Sequence, residues 1–392
     1  PDLDQQLQRQ ALSWLKPINA AQERLIIVLH ESDEAHHPLW DQLCSCLKNW
    51  QEIKVEESVL DANAISAFNN LLSVQSTHTP LSGLSRWWKL DSGVALGKRD
   101  KESYSSLESF FYSPYQWVLR YKARLTAGTL QSLSDGNLLK GTLVHHLYER
   151  YFNTHTIVLT TGKYQEVDVN LWFDQAISSL LAEEGAVLLQ PGRLVEKEQF
   201  ITTTRKSLHA LIHQLQAAKV VHVEIELAQE AAFFGGNLGG YIDMKVTNDQ
   251  GKEAVIDIKW GGANYRKTSL KENKHLQLVT YSYLRNKNSA TKKWLPVAYF
   301  IIDGGVILAQ NTDYFPEAIE IKPNGDENHA VIWQKMQKTW EWRRKQIDSG
   351  LIEVTVSGTE ADSVSSPGED ALDIPETSDH FNDYKVLTGW GA

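Results

Sequence analysis

Apolar and polar positions alternate most clearly between Gly239 and Trp260. Two short apolar runs, Gly239-Gly240-Tyr241-Ile242-Asp243-Met244-Lys245 and Ala254-Val255-Ile256-Asp257-Ile258-Lys259-Trp260, flank a polar tip. That tip, Thr247-Asn248-Asp249-Gln250-Gly251-Lys252, has the composition of a hairpin turn. Side chains alternate faces along a strand, so Asp257 and Lys259 point one way and Ile256 and Ile258 the other.

Periodicity extends the pattern on both sides of the hairpin. Before it, a helix is predicted over 140–152, with Leu143, Leu147 and Tyr151 on one stripe, then helices over 168–184 and 191–218 and a partly alternating strand from Lys219 to Phe234. After it come a basic amphipathic helix from Ser269 to Arg285, a strand from Trp294 to Ile302 and a tryptophan-rich basic helix over 328–349. Leaving out 168–184 and 191–218 as an insertion, the order is helix, strand, strand, strand, helix, strand. Ser105-Ser106-Leu107-Glu108 reads as a capping box opening an aromatic helix pair that runs to Tyr121.

Residues 1–100 read as a small α/β region, with helical periodicity over Leu3–Leu15 and Leu39–Trp50 and a buried strand over Arg24–Leu29. Residues 77–102, with Pro80, Gly83, Gly93 and Gly97, read as a connector. Residues 355–379, rich in Ser, Gly, Pro and acids, read as a flexible linker, and 380–392 as a segment apolar enough to dock.

Composition removes several function classes. No apolar run approaches the ~20 residues of a membrane span, and the first residues are neither basic nor apolar enough for a signal peptide. The chain opens on proline, so a fragment or a processed product is expected. Cys44 and Cys46 are the only cysteines, too few for a metal cluster, and a reducing cytoplasm fits them. Gly93-Val94-Ala95-Leu96-Gly97-Lys98-Arg99 is one residue short of a phosphate-binding P-loop and ends in Arg, so no ATP site is expected. Asp33-Glu34-Ala35-His36 is then a helicase-type tetrapeptide without its phosphate loop.

A net charge of −10 argues against a protein that coats nucleic acid non-specifically. The charge is uneven, however. From Lys259 to Lys293 nine basic residues stand against Glu272 alone, while Glu353 to Asp383 holds nine acidic residues and no Lys or Arg. A basic segment beginning at Lys259 favours a polyanionic partner. The acidic segment is most simply a solvated linker, with occupation of the basic surface by a nucleic-acid mimic as the alternative.

Two carboxylates and one ammonium converging at one end of a sheet suit a divalent metal with a general base or charge stabiliser beside it. An ordinary surface hairpin is the competing reading, since Asp-x-Lys alone is common. Two further pairs change the balance. His145 and Glu149 share a helix face one turn apart, and so do Gln277 and Tyr281.

Taken in order, Gly141/His145/Glu149, Asp243, Asp257-Ile258-Lys259 and Gln277/Tyr281 resemble the PD-(D/E)XK nuclease superfamily, within it the RecB- and AddB-type exonuclease domains, over residues 103–350. The resemblance implies an α/β fold with an αβββαβ core, a central mixed sheet flanked by helices, carrying the helical insertion and the small N-terminal α/β region. It implies metal ligation (Mg²⁺ or Mn²⁺) by His145, Asp243, Asp257 and the Ile258 carbonyl. By the same resemblance Lys259 would orient or deprotonate the attacking water or neutralise charge growing on the phosphate, Gln277 and Tyr281 would hydrogen-bond the phosphate or that water, and Glu149 would support His145 or Lys259. Arg266, Lys267, Lys271 and Lys274 are then candidate DNA contacts. Many AddB-type relatives carry an iron–sulfur cluster with a cysteine where this chain has Ser113, so no cluster is expected here. They also carry helicase-like domains upstream, and residues 1–100 resemble at most the end of one. The expected function is a metal-dependent DNA nuclease working with a helicase partner or a missing upstream motor, in repair, recombination or defence. A catalytically inactive scaffold and an RNA-directed enzyme are the alternatives.

Overall fold

The computed structural model describes residues 38–47, 85–126, 136–160, 166–288, 293–354, 367–374 and 382–388, with isolated positions between 12 and 27. The chain divides into two units, Pro1–Pro80 and Leu81–Ala392. In the first, Pro38–Cys46 (α1) is helical. Most of the buried strand expected over Arg24–Leu29 and of the helix expected over Leu3–Leu15 lies outside the described residues, and Ile27, which is described, is exposed and not in a strand.

In the second unit a short strand, Trp87–Lys89 (β1), and Lys101–Glu102 (β2) precede a helix, Tyr104–Tyr112 (α2), and a helical turn that continues as a π-helix over Trp117–Lys122. The helical layer follows: Gly136–Thr160 (α3, kinked at His155), Glu166–Glu183 (α4) and Leu194–Ala217 (α5). Three strands come next, Val220–Phe233 (β3), Gly236–Asn248 (β4) and Glu253–Lys259 (β5). Two helices, Ala263–Lys271 (α6) and Leu276–Asn288 (α7), lead to Val297–Ile301 (β6), Val306–Ala309 (β7) and Ile319–Glu320 (β8). His329–Asp348 (α8) and Leu351–Glu353 (β9) complete the elements used below.

Seven strands form one mixed sheet. β3 runs antiparallel along the whole of β4, which also pairs with β2 near its start and with β5 near its end. β5 and β6 are parallel, joined across α6 and α7, and β7 is antiparallel to β6. The central αβββαβ order is therefore α3, β3, β4, β5, α7, β6, the mixed α/β architecture the sequence predicts. β7 and β8 extend it beyond the strands read from periodicity.

Each face of the sheet has its own core. On one, Leu143, Leu147, Phe173 and Leu211 from α3, α4 and α5 pack onto Met244, Ile256, Ile258 and Phe300. On the other, Phe110, Leu284, Trp333 and Trp340 from α2, α7 and α8 pack onto Ile242, Val255 and Tyr299. Trp340 stacks on Phe234 with centroids 4.2 Å apart, which places the aromatics of α8 in the core. Strand β5 thus alternates as its sequence demands. The β3–β4 pair does not. Ile225 and Met244 face the first layer, but Leu227 and Ile242, two residues on, face the second. Between them Glu226 has φ +49°, a left-handed conformation costing a non-glycine residue on the order of 1–2 kcal/mol. Asp243 sits on the partner strand at the same break.

Several boundaries differ from the sequence reading for identifiable reasons. The capping box uses Ser103 and Ser106 rather than Ser105 and Glu108, because Ser106 itself returns the hydrogen bond to the Ser103 N–H. Residues 81–100 belong with the larger unit, since β1 pairs with β9 and the Arg86 guanidinium meets Glu353 at 3.1 Å. β2 can lie beside β4 because position 236 is glycine: a Cβ there would fall 2.8 Å from the Arg99 carbonyl oxygen.

The single helix expected over Ser269–Arg285 is two helices. Asn273 takes φ +56° after α6, and the Lys274 N–H closes back on the Ser269 carbonyl at 2.8 Å, a left-handed helix stop that asparagine tolerates. Within 355–379, Leu372 is buried in the second core and donates its N–H to Thr339 Oγ1, so an apolar anchor sits inside the acidic stretch. Farther on, Tyr384 packs with Tyr115, Ile352 and Val354.

The break before α7 buries His275 completely, with neither ring nitrogen hydrogen-bonded and the ring 5.5 Å from that of His329. Burial, and for His275 the neighbouring His329 as well, pushes the two down to about 3 and about 4. Both are neutral in the folded protein and protonated when unfolded below the ordinary histidine value of about 6.5. Their contribution is therefore complete above that pH and is lost as pH falls towards 4, by ~1.4 kcal/mol per pH unit for each histidine. Chemical denaturation at pH 7, 6 and 5 should give a falling unfolding free energy, and His329→Phe should make the slope shallower. An unchanged slope in the variant contradicts the assignment.

Candidate metal centre

α3 turns its leucine stripe to the sheet and leaves His145 half-buried at the stripe's edge, above the break in β3 and β4. The imidazole Nδ1 lies 2.9 Å from Glu226 Oε1. Nε2 lies 3.2 Å from the Ile258 carbonyl oxygen and 3.9 Å from Asp243 Oδ2. Burial disfavours a charged ring, but Glu226, Asp243 and the Ile258 carbonyl together outweigh it and raise the His145 pKa.

Asp243 is buried and its Oδ2 accepts the Ile258 N–H at 2.8 Å. This bond ties β4 to β5 just where their regular pairing has ended. Burial first, then the charge of Asp257, raises Asp243 to about 7, against the pull of Lys259, His145 and the Ile258 N–H. Two close carboxylates that resist sharing negative charge are suited to a cation held between them.

Asp257 is 0% exposed, and neither of its carboxylate oxygens has a hydrogen bond. The Lys259 ammonium stands 2.7 Å from Asp257 Oδ2 as an ion-pair contact outside hydrogen-bond geometry, 3.7 Å from Asp243 Oδ2 and 3.4 Å from the Ile258 carbonyl oxygen. Buried carboxylate oxygens are rarely left without donors. Orphaned oxygens, further carboxylates and a backbone carbonyl form a hard donor set, which suits Mg²⁺ or Mn²⁺. His145, Glu226 and Asp243 also present one ligand atom each within 4.8 Å of one another.

On α7, Gln277 Nε2 donates to Tyr281 Oη at 2.9 Å. Burial, followed by the charges of Asp257 and Asp243, raises the Tyr281 pKa, so the hydroxyl is protonated and within the field of the carboxylates.

His145, Asp243, Asp257, Ile258 and Lys259 thus converge, with Gln277 and Tyr281 beside them. Glu149 does not join them: it makes no hydrogen bond or ion pair among the described residues, and Glu226 engages His145 instead. Lys271 and Lys274 are exposed, Lys274 in a 2.8 Å pair with Glu272; Lys267 is half-buried, and Arg266 lies between two tyrosine rings. Glu226 is the residue that sequence reasoning missed. Its only signal was a second acid two residues after Glu224 in the strand before the hairpin. The left-handed turn at Glu226 separates the two, sending Glu224 to Lys245 and Glu226 to His145.

The family model of the PD-(D/E)XK nuclease superfamily matches residues 101–355, which span every side chain of this centre. The chain belongs to the PD-(D/E)XK nuclease superfamily. Members of this superfamily generally hydrolyse phosphodiester bonds and use divalent metals. No curated protein matches the chain in sequence. Among the described residues no helix is long and apolar enough to cross a membrane.

If Glu226 supports the centre and Glu149 does not, Glu226→Gln should weaken Mn²⁺ binding in calorimetric titration by roughly 10-fold or more. Glu149→Gln should leave it within twofold. The reverse order would assign the role to Glu149.

Proposed function

We propose that this chain is a metal-dependent deoxyribonuclease, carried above all by the buried, unsatisfied carboxylate of Asp257 beside Asp243 and Lys259 in a chain of this superfamily. Asp243, Asp257, His145 and the Ile258 carbonyl would hold Mg²⁺ or Mn²⁺, with Glu226 as a further carboxylate at the same place. A bound divalent ion there would polarise the scissile phosphate and acidify a water. Lys259, an ammonium 2.7 Å from Asp257 Oδ2, would orient that water or answer the charge growing on the phosphate. Gln277 and Tyr281 offer an amide N–H and a protonated hydroxyl to a phosphate oxygen.

The Gln277/Tyr281 pair and the helix pair before α3 support the narrower RecB- and AddB-type reading. The same resemblance carries the rest of the proposal: a helicase or upstream motor as partner, a place in repair, recombination or defence, and no iron–sulfur cluster. The unpaired Cys44 and Cys46 are compatible with a reducing cytoplasm. The substrate test is one labelled sequence made as DNA and as RNA, incubated with the protein and Mg²⁺. Faster loss of the DNA is expected; faster loss of the RNA would replace the substrate assignment, and binding without cleavage of either would favour a scaffold.

A further inference from the structure

Arg266 is held by aromatic rings rather than by a carboxylate. Its guanidinium carbon lies 4.9 Å from the Tyr265 ring centroid and 5.1 Å from that of Tyr299, whose hydroxyl it also engages, while its Nε is buried without a hydrogen-bond partner. It enters no ion pair among the described residues, whereas Arg285 is held by Glu253 and Arg343 by Glu353. Tyr299 is the β6 residue paired with Asp257 of β5, so the guanidinium stands one strand from the buried carboxylate of the metal centre. Tyr265 covers Arg266 yet is itself 66% exposed.

A ring stacked on a guanidinium solely for packing has no need to face water. A guanidinium fork matches a phosphate, and an open aromatic face accepts any nucleobase.

We propose that Tyr265 and Arg266 form a nucleotide subsite next to the metal centre. Arg266 holds a phosphodiester neighbouring the scissile one, and Tyr265 stacks on the base attached to it. A base inside a duplex has both faces covered by its neighbours, so away from a duplex end the strand entering this subsite is single-stranded at that position. The proposal rests on the nuclease reading.

The test is fluorescence anisotropy with labelled oligothymidylate, a closed-hairpin duplex and an abasic oligonucleotide of equal length. It is carried out with Mg²⁺ in the Lys259→Ala background, so that binding is read apart from cleavage. Tyr265→Ala should weaken oligothymidylate binding by about 10-fold, within the range for loss of one base–aromatic stack. Tyr265→Phe should stay within twofold, and neither change should alter duplex or abasic binding more than twofold. Arg266→Ala should weaken the abasic strand as well, because its contact is to phosphate. Unaltered oligothymidylate binding in Tyr265→Ala, equal losses on single strand and duplex, or no single-strand binding by the parent would overturn the subsite. Cleavage by the wild-type chain is scored separately, so a nuclease failure is not confused with a subsite failure.

Discussion

Asp257→Asn should abolish metal-dependent cleavage while making the metal-free protein more stable. The two effects share one origin. Asp257 is fully buried, its oxygens accept no hydrogen bond, and its charge helps push the neighbouring Asp243 up to about 7. A buried polar group without partners costs about 1–3 kcal/mol, and more when charged. Asparagine keeps the shape and removes both the buried charge and its repulsion of Asp243; the Lys259 ammonium, which loses its 2.7 Å contact with Asp257, keeps Asp243 Oδ2 at 3.7 Å as counter-charge. In EDTA the melting temperature should rise by roughly 2–6 °C, from that cost and the usual shift per kcal/mol for a unit of this size. With Mg²⁺ or Mn²⁺ the order should reverse, the wild type gaining stability by ligand linkage and the variant gaining little. Scanning fluorimetry of both proteins, with metal and with EDTA, reads all four values. A variant less stable than wild type in EDTA would show that Asp257 is a structural group satisfied in some other way.

Lys259→Ala should leave metal binding and DNA affinity within a few-fold and lower the cleavage rate by about 10³. The ammonium lies within 4 Å of the carboxylates of Asp243 and Asp257, and a phosphate brought to the same place would feel it at similar range. A unit-charge contact at ~4 Å with an effective dielectric of ~20 is worth about 4 kcal/mol, which corresponds to about 10³ in rate. Loss of the positive charge from a cluster of carboxylates should also tighten Mn²⁺ binding slightly. Single-turnover cleavage with calorimetry on the same preparation checks the pair of expectations. A full-rate variant would remove Lys259 from the chemistry, and a variant that no longer binds metal would make its role structural.

Most of the centre was legible in the sequence because strand alternation is a rigid rule. Asp257, Ile258 and Lys259 sit within one short run, and period two alone places two of them on one face and the third on the other. Helical spacing singled out His145 and the Gln277/Tyr281 pair, but their assignment to the centre came from the family resemblance, and the same spacing also offered Glu149, which lies apart. Glu226 was not legible, because its side chain is aimed by a left-handed residue inside a strand, and no glycine or asparagine marks that position. The split between α6 and α7 was hidden for a similar reason: Lys271-Glu272-Asn273-Lys274 contains neither glycine nor proline, and only the tolerance of Asn273 for positive φ hints at the stop. The two-residue strands β2 and β8 are too short to carry a period at all. Leu372 looked like part of an acidic linker because one anchoring side chain leaves no pattern.

The most direct test of the central claim is cleavage of linear and circular, single- and double-stranded DNA by the wild-type chain in Mg²⁺, Mn²⁺ or EDTA, with Asp257→Asn prepared identically as the control for contaminating nucleases. Cutting of at least one substrate in Mg²⁺ or Mn²⁺, absent in EDTA and absent from the variant in every condition, is the predicted result, and the circular substrates then separate internal from terminal cutting. Cleavage that persists in EDTA or in Asp257→Asn, or none by a wild-type chain that binds both metal and DNA, would contradict the account.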